Sequence, residues 1–200
     1  MDDQEYLQRT MALLSPKRVV TRNEAVGRDS VVPAAAGVYA WYFDELPPGV
    51  PAEGCRTGEF GTLLYVGIAP REAPAGGRPS REHLRRRIRY HFRGNAEGST
   101  LRLTLGCHLA DVLGIELRRV GSGTRLTFTK RGEDLLSEWM AAHARVAYVL
   151  DDTPELVEQR IIQTETLPLN IAHNKHNPYY LPLKALRAEH RLRARGLPVV

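Results

Sequence analysis

The chain has 200 residues and a formal net charge of +5, with 42% hydrophobic and 26% charged residues, which suits one well-buried globular domain over 1–200 and leaves no room for two enzymatic units. No apolar run reaches the roughly 20 residues that a membrane-crossing helix needs, so no membrane partner is expected. The start, MDDQEYLQRTMALL, is acidic and reads as a short amphipathic helix rather than a secretory signal, which points to a cytoplasmic location. Cys55 and Cys107 stand singly, without the CxxC spacing of a structural zinc site, and read as buried thiols.

Residues 1–33 are expected to form a helical N-terminal extension. Residues 34–43 (AAAGVYAWYF) and 61–68 (GTLLYVGI) are rich in β-branched and aromatic residues, and a Pro/Gly-rich stretch joins them, so two strands and a long loop are expected. After a second Gly/Pro-rich turn, Ser80 can cap a helix whose apolar positions Leu84, Ile88 and Phe92 recur every four residues. Residues 99–113 read as another helix capped by Ser99. IELRRV and TRLTFT around GSG suggest a hairpin, EDLLSEWMAAH a helix, and ARVAYVL a strand. Thr153 and Pro154 are a cap and first-turn pair for a helix that runs to about Thr166, before Pro168. A basic helix from Leu183 to Arg195 closes the series.

Charge is unevenly spread. Segment 81–93 carries six arginines against Glu82, and segment 184–195 five cations against Glu189, so these contribute +5 and +4 and the rest of the chain sums to about −4. Segregation of this kind suits a polyanion, because phosphate contacts release counterions. The candidate contacts are Arg85, Arg86, Arg89 and Arg93 in the first segment and Lys184, Arg187 and Arg191 in the second.

Within the first segment Arg87 and His91 are four apart and share one helical face, on the flank of the apolar stripe. In the last core helix Glu158 has Ile161 and Ile162 at i+3 and i+4, which places its carboxylate nearer the core than Glu155 or Glu165. A carboxylate there needs a metal or an arginine partner. The tract IAHNKHNPYY, with His173 and His176, reads as a polar loop.

GVY at 37–39, YVG at 65–67, Arg87, His91, Glu158 and, twelve residues on, Asn170 together resemble the GIY-YIG nuclease superfamily. The resemblance implies an α+β fold, a small three-stranded antiparallel sheet flanked by helices. The core would span 34–175 with a helix and hairpin insertion at 93–143, and 176–200 would be a basic C-terminal extension. It further implies a metal-dependent endonuclease acting on DNA with Mg²⁺ or Mn²⁺. Tyr39 and Tyr65 would line the cleft, Arg87 would contact the scissile phosphate, Glu158 would ligate the metal, and Asn170 would brace the site. Ile68 follows YVG where some relatives carry a basic residue. Either Tyr39 or His91 is the candidate base: a free phenol is mostly protonated at neutral pH, whereas imidazole titrates close to it. A nucleic-acid-binding protein that does not cut, and an RNA-directed or defence nuclease, are the competing expectations. Cutting both strands at once from a single site would call for a dimer.

Overall fold

The structure, a computed structural model, describes residues 3–70 and 82–200. In chain order the elements are α1 (Asp3–Leu14), α2 (Arg22–Val26), β1 (Gly37–Phe43), β2 (Thr57–Gly58), β3 (Gly61–Ala69), α3 (Leu84–Arg93), α4 (Thr100–His108), α5 (Ala110–Leu113), β4 (Arg118–Val120), β5 (Arg125–Thr127), α6 (Thr129–His143), β6 (Ala144–Leu150), α7 (Pro154–Thr164) and α8 (Tyr180–Gly196).

The main sheet runs β2-β3-β1-β6 and is antiparallel throughout. It has four strands where three were expected. The extra one, β2, is a pair of exposed residues folded back on the start of β3, too short to carry any alternation of apolar and polar side chains. All of β1 is buried, so its alternate residues serve two layers. Tyr39, Trp41 and Phe43 pack with Leu84, Ile88 and Phe92 of α3. Val38, Ala40 and Tyr42 pack instead with Leu13 and Leu14 of α1 and Val157, Ile161 and Ile162 of α7. Each fully buried Leu, Ile, Val or Phe contributes about 1.5–3 kcal/mol, so the two layers fix the strand's register. A register shift between Trp41 and Tyr42 skips Leu64 and sets Tyr65 opposite Trp41 and Gly67 opposite Tyr39. Cross-strand partners share a face, so both tyrosines project to the α3 side.

Several local expectations are corrected. Ser80 lies outside the described residues; the described helix starts at Leu84, with His83 as its cap accepting from the Arg86 amide. The strand expected from 34 begins at Gly37. The helix expected over 99–113 is broken at Leu109 into α4 and α5, and α5 ends on left-handed Gly114. Thr153 makes no side-chain cap; instead its amide and hydroxyl bond Asp151 Oδ1 at 2.7 and 3.3 Å. Cys107 is buried, whereas Cys55 is half-exposed.

Candidate active site

Alternation along β1 and β3 aims Tyr39 and Tyr65 at one cleft of about 200 Å³, which Arg87 of α3, Thr100 of α4 and Glu158 of α7 also line. The two halves of the resemblance therefore meet in space. Gly67 makes the meeting possible: a Cβ there would lie 2.6 Å from Tyr39 Oη. Gly37 is required for packing, since a Cβ would collide with the main-chain oxygen of Val149 and sit 2.8 Å from a methyl of Leu84.

Tyr39 is buried at 1% exposure. Its hydroxyl lies 2.8 Å from His91 Nε2 and accepts from Arg87 Nε at 3.4 Å. Burial pushes the phenol well above its ordinary pKa and Tyr65 adds to this, against the opposing pull of Arg87. His91 is fully buried and does not line the cleft; it stands behind Tyr39. Its Nδ1 lies 2.7 Å from Ser99 Oγ, which also accepts from the Arg102 amide at 3.1 Å. Arg87 Nη1 donates to Gly98 O at 3.0 Å. Arg87 and His91 of α3 are thus both held by the turn that opens the segment 93–143.

That turn is held in its own right. Arg102 is fully buried and donates to Glu133 Oε2 at 2.6 Å from Nη2 and 3.0 Å from Nε, to His91 O at 3.1 Å and to Ser137 Oγ at 3.1 Å. Glu133 Oε1 accepts from the Ala96 and Phe128 amides at 2.8 and 3.2 Å. Burial lowers the Arg102 pKa, while Glu133 raises it in opposition.

Asn170 is buried and imitates a strand residue. Its Oδ1 accepts from Val66 N at 2.9 Å and its Nδ2 donates to Val66 O at 2.8 Å, next to Tyr65. Asn174 in turn donates to Leu167 O and Asn170 O at 2.8 and 3.1 Å. The stretch after Asn170 is a looped segment, and His173, in the left-handed region at φ 56°, reaches the rim of the cleft. His173 and Thr100 are lining residues that sequence reasoning had not placed there. Ile68, also in the lining, is buried.

Glu158 is half-buried and is the one carboxylate among the described residues of this lining. No cluster of three or more His, Cys, Asp or Glu suited to a metal occurs among the described residues. A single carboxylate in a polar cleft fits Mg²⁺ or Mn²⁺, hard ions that complete their shells with water and substrate phosphate oxygens. It does not fit zinc, which takes three or four protein ligands.

The candidate phosphate contacts are dispersed. Arg86 and Arg93 are exposed on α3. Arg85 Nε donates to Val32 O at 2.6 Å and Arg89 Nη2 to Val26 O at 2.8 Å, so both also tie α3 to the α2 region. Lys184 is exposed, its Nζ 5.3 Å from the centre of the Tyr180 ring. Arg187 is buried, and burial, then Arg191, depresses its pKa.

No curated protein and no solved structure matches the chain. Residues 37–189, a span that includes 93–143 and reaches into α8, match the family described as the GIY-YIG catalytic domain. With Tyr39, Tyr65, Gly67, Arg87 and Glu158 gathered around one cleft, and most of its length under that match, the chain belongs to the GIY-YIG catalytic-domain family.

Proposed function

We propose that this protein is a divalent-metal-dependent endonuclease that hydrolyses phosphodiester bonds in DNA. The observation that carries this reading is the convergence of Tyr39, Tyr65, Arg87 and Glu158, from β1, β3, α3 and α7, on one small cleft. A cation, a carboxylate and two phenols are what in-line hydrolysis of a phosphodiester can use.

Arg87 spends Nε on Tyr39 and Nη1 on Gly98, which leaves its other terminal nitrogen to hold a phosphate oxygen as charge builds there. Tyr39 lines the cleft and His91 does not, so Tyr39, as the phenolate formed when its own proton passes to solvent, is the group that takes the proton of the attacking water, and His91 acts through it. Tyr65 orients the phosphate by hydrogen bonding. Glu158 would hold Mg²⁺ or Mn²⁺, which would supply Lewis-acid neutralisation of charge on the leaving oxygen. Arg86, Arg93, Lys184 and Arg191 carry the flanking backbone, and Asn170 keeps β3 straight beneath the cleft.

The test incubates plasmid, single-stranded DNA and RNA with the pure protein and Mg²⁺ or Mn²⁺, alongside Glu158→Ala and Arg87→Ala. Metal-dependent DNA cleavage that both substitutions abolish is the expected result. Binding without cleavage in every combination points to a non-cutting module, and cleavage confined to RNA replaces the substrate. Unchanged cleavage by both variants sinks the site.

A further inference from the structure

We propose that Ser99 is a positioning residue that fixes His91 as an N–H donor toward Tyr39, which makes the segment 93–143 part of the active centre. The proposal rests on the reading of Tyr39 as the proton acceptor. Ser99 is fully buried, and its Oγ has two partners, the Arg102 amide at 3.1 Å and His91 Nδ1 at 2.7 Å. An amide only donates, so Oγ accepts there, and the hydroxyl proton is left with Nδ1 as its acceptor.

A neutral imidazole that accepts at Nδ1 carries its proton at Nε2, which is the nitrogen 2.8 Å from Tyr39 Oη. The phenol oxygen then receives both His91 Nε2–H and Arg87 Nε–H, and its own proton turns into the cleft. A phenolate formed at Tyr39 meets two donors already in place, one of them cationic, with nothing to rearrange. The opposite tautomer would bury the Ser99 proton with no acceptor among the described residues, a costly arrangement. Arg102 holds the device at both ends: its amide caps onto Ser99, and its guanidinium grips His91 O and Glu133.

The full chain, labelled with ¹⁵N-histidine, gives the test. Nitrogen shifts of His91, identified by loss of its signals in His91→Gln, report the tautomer with no reference to activity. Single-turnover cleavage of DNA with Mg²⁺ is measured in parallel for wild type, Ser99→Ala and Ser99→Thr. The expected result is an Nε2–H His91 in wild type and in Ser99→Thr, and a mixed or inverted tautomer in Ser99→Ala. The saturated rate of Ser99→Ala falls on the order of 10- to 100-fold with the half-saturating concentration unchanged, and threonine restores it. A folded Ser99→Ala that keeps both the wild-type signature and the wild-type rate overturns the proposal, as does an Nδ1–H His91 in wild type. A wild type that cuts nothing yet shows the Ser99-dependent tautomer overturns the nuclease reading alone.

Discussion

The phenol of Tyr39 lies over Gly67, so close that a single methyl at position 67 would stand 2.6 Å from the phenol oxygen and 2.8 Å from the carbon bearing it. The glycine of YVG is therefore a space for the tyrosine of GVY. Gly67→Ala will move the phenol, because the strand backbone is paired with β1 and cannot yield. Overpacking of this kind costs about 1–3 kcal/mol. The variant should remain folded by circular dichroism, melt at a lower temperature than wild type, and lose most cleavage while retaining DNA binding in a gel-shift assay. Wild-type cleavage by Gly67→Ala would contradict the placement of Tyr39.

The pH dependence separates the two candidate bases. Burial raises the Tyr39 pKa, so the phenolate is the minor form across the neutral range, and its fraction grows about tenfold per pH unit. Single-turnover rates should climb without a plateau between about pH 6.5 and about pH 9, and Tyr39→Phe should lose that limb. An imidazole base of ordinary pKa would instead level off above about pH 7.5.

Glu158→Gln keeps the size of the side chain and removes its charge. Metal-dependent cleavage should fall by about two to three orders of magnitude, the scale seen when one charge-stabilising group is lost. DNA affinity measured with Ca²⁺ or without metal should change little. Arg87→Lys should be nearly as damaging as Arg87→Ala, because a point charge cannot serve Tyr39, Gly98 and a phosphate together.

Arg102 and Glu133 test the link between stability and the site. Removing one partner of a buried ion pair costs about 3–5 kcal/mol, so Arg102→Met and Glu133→Gln should each lower the midpoint of urea unfolding sharply. The double variant Arg102→Met with Glu133→Leu should recover only part of the loss, since the Ala96 and Phe128 amides would still lack their acceptor. Loss of more than half the cleavage activity in folded Arg102→Met would tie the pair to the cleft through Ser99 and His91.

The sequence displayed the parts of the site that sit on regular elements. Tyr39 and Tyr65 follow from the resemblance carried by GVY and YVG, the shared face of Arg87 and His91 from helical spacing, and Ser99 from cap chemistry. It did not display β2 or α2, which are too short for a periodic signal. Nor did it show that Arg187 is buried: a charge run reads as a solvated face, and only the packing of Leu183, Arg187 and Ala194 inward turns one cation of that run toward the core. The role of the Gly98–Ser99 turn was hidden for a similar reason. A helix cap announces where a helix starts, whereas the second partner of the capping hydroxyl, His91, is set by how the turn between α3 and α4 folds back.

The side-chain amide of Asn170 also completes a strand edge. Beyond its short pairing with β2, the outer side of β3 meets no further strand among the described residues; Leu169 N bonds Leu64 O at 3.1 Å and Asn170 satisfies both polar groups of Val66. A bare edge is a template for another chain. The residue that steadies the strand of Tyr65 thus also covers part of an edge to which a neighbouring molecule could add, and a shortened side chain at this position should favour self-association as well as a loosened cleft.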